Sequence, residues 1–197
     1  MRPLDDLVRL LEGVEREGTS VVELVCATAR PVPWKLYPGE NGVFDRTTSS
    51  QFYFHAHEGG AHEAGHFHTV RLFPDHTVHL VAISMASNGW PQALSTLNLW
   101  AIGDAFAPAA KLKRHVRRFR IDPRRGEPRV VRFVNLVFRA FRAEIERLQD
   151  DKIATLDASR RARPGADPFE DRSLEILSGI ELDLRRRLGG PRAGVAS

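Results

Sequence analysis

The centre of the chain contains the stretch Tyr53-Phe-His-Ala-His-Glu-Gly-Gly-Ala-His-Glu-Ala-Gly-His-Phe-His68, in which five histidines fall within fourteen residues. Aromatic side chains on both sides of a glycine-rich segment are typical of two β-strands joined by a turn. Histidine is a poor core filler, because burial leaves two ring nitrogens to satisfy. Imidazole is, however, the commonest protein ligand for several transition metals. The stretch therefore predicts a hairpin that carries a metal site.

Alternation along the two strands predicts which histidines meet. Side chains alternate between the faces of a strand, so Tyr53, His55 and His57 share one face, and His66 and His68 share a face of the next strand. Pairing His57 with His66, and His55 with His68, places opposed Cβ atoms about 5 Å apart. Two His-X-His pairs at this separation can hold one ion at metal–nitrogen distances of about 2.1 Å. We therefore predict that these four histidines are metal ligands.

Other interpretations of the same residues stay open. The run His62-Glu-Ala-Gly-His66 matches the H-E-x-x-H motif, which on a helix supplies two zinc ligands and a general base, here Glu63. Gly65 inside the run and the strand pattern after it argue against a helix, although His62 or Glu63 can still reach the ion from a loop. His79 is either a hydrogen-bonded core residue or a fifth ligand. Alternatively, the histidines lie on a solvated face and bind nothing, or serve acid/base chemistry or bind an anion.

Polar residues around the predicted site indicate a function. Tyr53, Asn98 and Glu63 are the residues we expect to position a substrate or transfer a proton. The cofactor is a divalent transition metal, with iron, zinc, copper, manganese and nickel not distinguished. Iron, copper, manganese or nickel would support oxygen or redox chemistry, and zinc with a bound water would support hydrolysis. The sequence therefore predicts a metal-binding protein, and more narrowly a small metal-dependent enzyme with a small-molecule substrate.

The spacing of apolar residues and turn signals predicts the fold. Strand patterns cover residues 51–57, 66–73, 78–86 and 94–101, and their short connections allow antiparallel neighbours only. A long amphipathic helix is predicted over residues 130–148, and a last helix over 174–188. We expect an α+β fold: an antiparallel four-stranded β-meander with N- and C-terminal helices packed on one face.

Length and composition limit the class of protein. The 197 residues suit a single domain, expected over residues 1–190, with a disordered tail at 191–197. The lone Cys26 excludes an internal disulfide framework and a cysteine-rich zinc site. The first residues do not resemble a signal peptide, and no apolar run is long enough to cross a bilayer. We expect a cytoplasmic protein without a membrane partner, and its oligomeric state is left open.

The densest basic run, residues 111–125, carries the alternative function. It predicts a non-catalytic interaction protein that binds nucleic acid or an acidic partner. The run lacks a recognisable nucleic-acid motif, and Leu112, Val116 and Phe119 form the apolar stripe of an amphipathic helix. Charge runs on such helices usually face water, so a nucleic-acid partner is the less favoured interpretation.

Four segments carry a family resemblance: Tyr53-Phe-His-Ala-His57, Gly65-His-Phe-His68, His79-Leu-Val and Thr96-Leu-Asn98-Leu-Trp100. They resemble an uncharacterised bacterial family of domains of unknown function, and the similarity runs over most of the chain. The resemblance implies a discrete, self-contained cytoplasmic domain. It supplies no activity that can be transferred to this chain.

Overall fold

The structure is a computed structural model that describes residues 2–28, 30–58 and 63–184. Within these ranges the α-helices are α1 (Pro3–Arg16), α2 (Val21–Cys26), α3 (Leu99–Ile102), α4 (Ala109–Arg118), α5 (Pro128–Ala140) and α6 (Arg142–Ala162). The strands are β1 (Val43–Asp45), β2 (Ser50–His55), β3 (Glu63–Leu72), β4 (Thr77–Ala86), β5 (Pro91–Leu97) and β6 (Ile176–Glu181). The predicted tail and residues 185–188 of the predicted last helix lie outside the described residues.

The strands form one antiparallel sheet in the order of the chain, from β1 to β6. The predicted α+β class and antiparallel meander are therefore confirmed, but the predicted number of four strands is wrong. The first missed strand, β1, has only three residues, too few to show an alternating pattern. It lies in the Pro- and Gly-rich segment before the hairpin and pairs with β2.

The second missed strand, β6, corrects the predicted last helix. Leu174, Leu177, Ile180 and Leu184 recur at helical spacing, yet residues 176–181 are extended. They pair with β5, and the Thr96 hydroxyl lies 2.6 Å from the Ser178 hydroxyl across the pair. The edge of β5 offers residues 176–181 backbone hydrogen-bond partners. These hydrogen bonds outweigh the helical preference that the apolar spacing indicates, because local propensity is weak.

Two further boundaries differ from the prediction. The predicted fourth strand, 94–101, ends at Leu97, because the Asn98 side chain caps α3 by accepting a hydrogen bond from the Leu99 N–H. The predicted long helix is divided into α5 and α6, since the backbone of Phe141 leaves helical geometry. Phe141 is itself fully buried, so the change of direction keeps both helices on the core.

The sheet has one apolar face, which forms the main core. The register places Phe54, Phe67, Ile83 and Leu94 in one row across four strands, and all four are fully buried. Helix α5 covers this row, with the ring of Phe133 centred 5.6 Å from that of Phe67. Burying each such side chain stabilises the fold by about 1.5–3 kcal/mol. Since side chains alternate, the neighbouring residues in each strand face the other side of the sheet, where the histidines lie.

Candidate metal centre

The pairing of β2 with β3 decides which histidines face each other. His55 pairs with His66, and Tyr53 pairs with His68. The predicted pairing of His57 with His66 is therefore wrong by two residues. Because side chains alternate with a period of two, a shift of two residues preserves the face, whereas a shift of one would have reversed it. His55, His66 and His68 thus remain on one side of the sheet, and His57 lies beyond the end of β2.

Gly65 explains the observed register. A β-bulge lies between Glu63 and Gly65, and Gly65 has a φ of +134°, which L-residues rarely adopt. A Cβ atom at this position would overlap the backbone carbonyl of His55 and would lie 2.6 Å from the Phe54 ring. Only glycine lets the two strands approach this closely. The bulge also turns Glu63 towards the histidines.

Three imidazoles converge on one point. The Nε2 atom of His55 lies 2.9 Å from Nε2 of His66 and 3.2 Å from Nε2 of His68. One ligand atom from each ring lies within 4.8 Å of the others. Three nitrogens that share an ion at about 2.1 Å lie about 3.0 Å apart on an octahedral face and about 3.4 Å apart in a tetrahedron. This group, His55, His66 and His68, is called the histidine triad below, and the two separations measured from His55 match these values.

Partners on the Nδ1 side orient two members of the triad. The Glu63 carboxylate accepts a hydrogen bond from Nδ1 of His66 at 2.9 Å, so the proton of a neutral His66 lies on Nδ1 and the Nε2 lone pair faces the triad. Nδ1 of His68 lies 3.2 Å from Nε2 of the buried His79. Carboxylates and other polar groups commonly hold metal-binding imidazoles in this way.

The contacts within the triad have no satisfactory arrangement of protons when all three rings are neutral. His66 presents a lone pair, so a hydrogen bond to it requires the proton on Nε2 of His55. With that proton, Nε2 of His55 has no lone pair left to accept a hydrogen bond from Nε2 of His68. If Nε2 of His68 carries no proton, its lone pair and that of His66 both need the single proton on His55. Two close contacts therefore compete for one proton, while a metal ion would accept all three lone pairs.

Burial favours the neutral form of two members of the triad, His55 and His68. His55 and His66 are half-buried and His68 is buried. Desolvation, followed by the neighbouring His66 and His57, lowers the pKa of His55 to about 4. Desolvation, followed by His79 and the other histidines, lowers the pKa of His68 well below its ordinary value. Neutral imidazole is the form that ligates metals.

The other histidines of the opening stretch lie apart from the triad. His57 is exposed, and its ring centre lies 4.7 Å from that of His55 and 4.5 Å from that of Trp34. Its ring borders the triad, but its nitrogens are not in the group of mutually close ligand atoms found among the described residues. His62 lies outside the described residues. Glu63 and His66 belong to β3, so this part of the H-E-x-x-H match is not helical.

The two other residues predicted for catalysis have different surroundings. Tyr53 stacks on His68, with ring centres 4.8 Å apart. Burial, and secondly the charge of Asp104, raises its pKa to about 12, so its hydroxyl remains a proton donor at neutral pH. Asn98 is fully buried, and its amide donates to the Pro168 carbonyl and accepts from the Leu99 N–H, each at 2.8 Å. These bonds hold the chain where α3 begins, and the structure does not bring Asn98 into the triad.

Two buried polar side chains lie behind the triad: His79, whose role the sequence left open, and Lys152, which was not predicted. Burial, followed by the charge of Lys152 and then His66, lowers the pKa of His79 to about 3, and its Nδ1 atom has no hydrogen-bond partner among the described residues. Lys152 is only 3% exposed, and burial lowers its pKa to about 8 despite the favourable charge of Asp104. A sequence signal existed, since Lys152 follows the buried Leu148 by four residues on the inward face of α6.

An open groove borders the triad at Glu63. Its volume is about 880 Å³. It is lined by Glu63, Ser84, Gln92, Ala93, Glu181, Leu182 and Asp183. Ser84 is the β4 neighbour of His66 in the sheet, so the groove extends from the edge of the triad across the same face. A small molecule in this groove would lie beside the triad.

The fold and the site together define the class: an α+β protein with a histidine triad close enough to hold a metal ion. The chain belongs to the family described as Domain of unknown function (DUF6969), whose model matches residues 3–182. The expected relationship to a family without an assigned activity is thereby confirmed. Neither a curated protein nor a solved structure matches the chain. Among the described residues, no helix has both the length and the apolar character needed to cross a membrane.

Proposed function

We propose that this protein is a metal-dependent enzyme that binds one divalent transition metal through His55, His66 and His68. The observation that carries the proposal is the convergence of the three rings, with Nε2 of His55 at 2.9 Å from that of His66 and 3.2 Å from that of His68. This spacing fits metal coordination and, without a metal, leaves competing hydrogen bonds. The donor set supports zinc, iron, copper, nickel or manganese, since each accepts imidazole nitrogen.

Three protein ligands support a catalytic site in preference to a structural one. Structural zinc sites are closed by four protein ligands, whereas catalytic sites keep a position for water or substrate. A divalent metal bound there would lower the pKa of a water ligand to about 7 or polarise a substrate oxygen. The triad lies on two paired strands, so its geometry is held by the sheet. The adjoining groove supports a small molecule as the substrate.

The surrounding residues take distinct parts in this proposal. Glu63 holds the tautomer and direction of His66, and therefore acts as a positioning residue more than as a general base. Tyr53 packs on His68 and, since it stays protonated, acts as a hydrogen-bond donor. His57 and the 62% exposed Trp34 form an aromatic rim beside the triad, where a bound substrate would contact them.

Metal analysis of protein purified without a histidine tag tests the proposal. We expect close to one equivalent of metal per chain in the purified protein, or after removal of metal by a chelator and reconstitution. His55→Ala and His66→Ala should each abolish stoichiometric binding. His76→Ala is the matched control, because His76 lies in the turn before β4 and pairs with Asp75 at 2.7 Å. It should retain the full metal content.

Two results would reject the proposal. The first is a wild-type protein that takes up no metal on reconstitution with any of the five ions. The second is equal metal loss in His76→Ala and in the triad variants, which would indicate binding by scattered surface histidines. Circular dichroism of each variant identifies a loss of fold. His57→Ala should keep stoichiometric binding, since its ring borders the triad without completing it.

A further inference from the structure

A second groove, remote from the histidine face, is lined by arginines. It has a volume of about 540 Å³ and lies where α4, the loop after it, α5 and the start of α6 meet. Its lining includes six arginines: Arg117, Arg118, Arg120, Arg132, Arg139 and Arg142. We call it the arginine groove. Three of its arginines come from the predicted basic run, and the other three from α5 and α6, which only the fold brings alongside.

The charge of the arginine groove is concentrated there and does not reflect a generally basic chain. Six arginines and one aspartate line it, a formal surplus of five positive charges. The whole chain carries a net charge of only +4, so the remainder is close to neutral. The one lining carboxylate, Asp6, is already paired with Arg9 at 3.0 Å. Like charges gathered in this way repel one another, and a bound anion would relieve the repulsion.

Most of these guanidinium groups are available to a ligand. Arg117 is held by Glu146 through two bonds of 3.0 and 2.6 Å. Arg118, Arg120, Arg132 and Arg139 are exposed and form no ion pair with any residue in the described part of the chain. A guanidinium group presents a planar pair of N–H donors that matches two oxygens of a phosphate.

The backbone of the arginine groove is held in place before any ligand binds. The Asn135 amide donates to the Ile121 carbonyl at 2.8 Å and accepts from the Ile121 N–H at 3.0 Å, which ties the loop after α4 to α5. The rings of Phe119 and Phe138 stack with centres 3.8 Å apart beneath the groove. The arginines therefore project from a fixed frame, so little backbone ordering is needed on binding.

We propose that the arginine groove binds a compact small molecule that carries several phosphate groups. The volume lies within the range of small-molecule sites, about 300–1,000 Å³. A single-stranded nucleic acid is disfavoured, because such ligands stack their bases on exposed aromatic rings. The aromatic side chain in the lining, Phe119, is buried against Phe138. This site does not depend on the metal proposal, since it shares no residue with the triad.

Calorimetric titration of the full chain with inorganic triphosphate tests this proposal. We expect saturable binding at one site per chain in about 100 mM salt, the ionic strength at which charges more than about 10 Å apart are screened. Arg132→Gln with Arg139→Gln should weaken binding by about tenfold per arginine, because a charge-assisted hydrogen bond is lost with each. All the replaced side chains are exposed, so the fold should survive, and circular dichroism checks this.

The control is a charge-matched double variant, Arg114→Gln with Arg161→Gln. Both residues are exposed and neither lines the arginine groove. This control should bind triphosphate as the wild type does. Equal weakening in the two double variants would overturn the proposal, since it would indicate only the general charge of the chain. Absence of saturable binding would also overturn it, as would tighter binding of a twelve-nucleotide single strand that triphosphate does not displace.

Discussion

Replacing Glu63 with glutamine tests how strongly the metal centre depends on its supporting carboxylate. In the wild type, Oε1 of Glu63 lies 2.9 Å from Nδ1 of His66, and this bond directs the Nε2 lone pair at the triad. Interaction with His66 is a main reason why the pKa of Glu63 is held below its ordinary value, even though burial alone would raise it. The group is therefore a carboxylate at neutral pH. Glutamine keeps the shape and removes the charge.

The expected loss can be worked out from this contact. Removing a group that supports a metal ligand typically weakens metal binding by about 10–100-fold. The Glu63 side chain is 36% exposed, so water screens part of the charge. The amide oxygen of glutamine can still accept a weaker, neutral hydrogen bond. We therefore expect a loss near the lower end, about tenfold or about 1.4 kcal/mol. Leucine at this position leaves no acceptor and should weaken binding further.

Competition with a chelator of known affinity measures this change. The apparent dissociation constant of Glu63→Gln should rise about tenfold, while the stoichiometry stays at one metal per chain. Glu58→Gln is the matched control, because Glu58 is an exposed glutamate three residues after the end of β2. Unchanged affinity in Glu63→Gln would refute the reasoning. An equal loss in Glu58→Gln would also refute it, because the effect would then arise from the general charge near the site.

Three further predictions concern stability. Lys152→Met removes a cation whose pKa is about 8 in the fold against an ordinary value of 10.5. Because the pKa of Lys152 is lower in the folded chain than in the unfolded chain, burial of its positive charge destabilises the fold by about 3 kcal/mol at neutral pH. This destabilisation disappears as the pH rises from about 8 to 10.5. Denaturant unfolding should show Lys152→Met more stable by up to this amount at pH 7, with the gap closing in alkali, and a pH-independent gap would contradict the assignment. Gly65→Ala should lower the unfolding free energy by at least about 2 kcal/mol and reduce metal uptake, because its Cβ overlaps the neighbouring strand. Gly13→Ala in α1 is its control, since a Cβ there meets nothing within 4 Å, and it should stabilise by about 0.5–1 kcal/mol. Phe67→Ala should cost about 3–5 kcal/mol in the same assay, and a cost below about 1 kcal/mol would contradict its place in the core.

The predictions on metal binding and the predictions on stability use different measurements, so that one set can fail without the other. Metal affinity reports on the triad and its supporting groups. Unfolding free energy in the metal-free protein reports on the sheet and its core. A variant that loses metal and keeps its unfolding curve has lost a ligand contact, whereas one that loses both, as expected for Gly65→Ala, has lost the register that creates the site.

Local sequence patterns determined much of this protein. Alternation was enough to place His66 and His68 on one face of β3, and Tyr53 and His55 on one face of β2, because that property depends only on the period of a strand. The predicted register still brought both pairs to the same side of the sheet, since its error of two residues preserves the face. Short turns required antiparallel neighbours, and this also holds in the structure. The resemblance in the histidine segments was likewise sufficient to identify a family without an assigned activity.

Contacts between distant residues decided the rest. The register of β2 on β3 depends on the close approach of the two backbones at Gly65. Local spacing therefore could not predict that His55 pairs with His66. Residues 176–181 form a strand because they pair with β5, about eighty residues away in the chain. The stabilisation from this pairing cannot be inferred from a local pattern. The arginine groove likewise exists only because α5 and α6 fold back beside α4. Sequence by itself determined which side chains share a face of the same strand, since that follows from backbone geometry. Tertiary structure decided which of them touch, since contact depends on how separate segments pack.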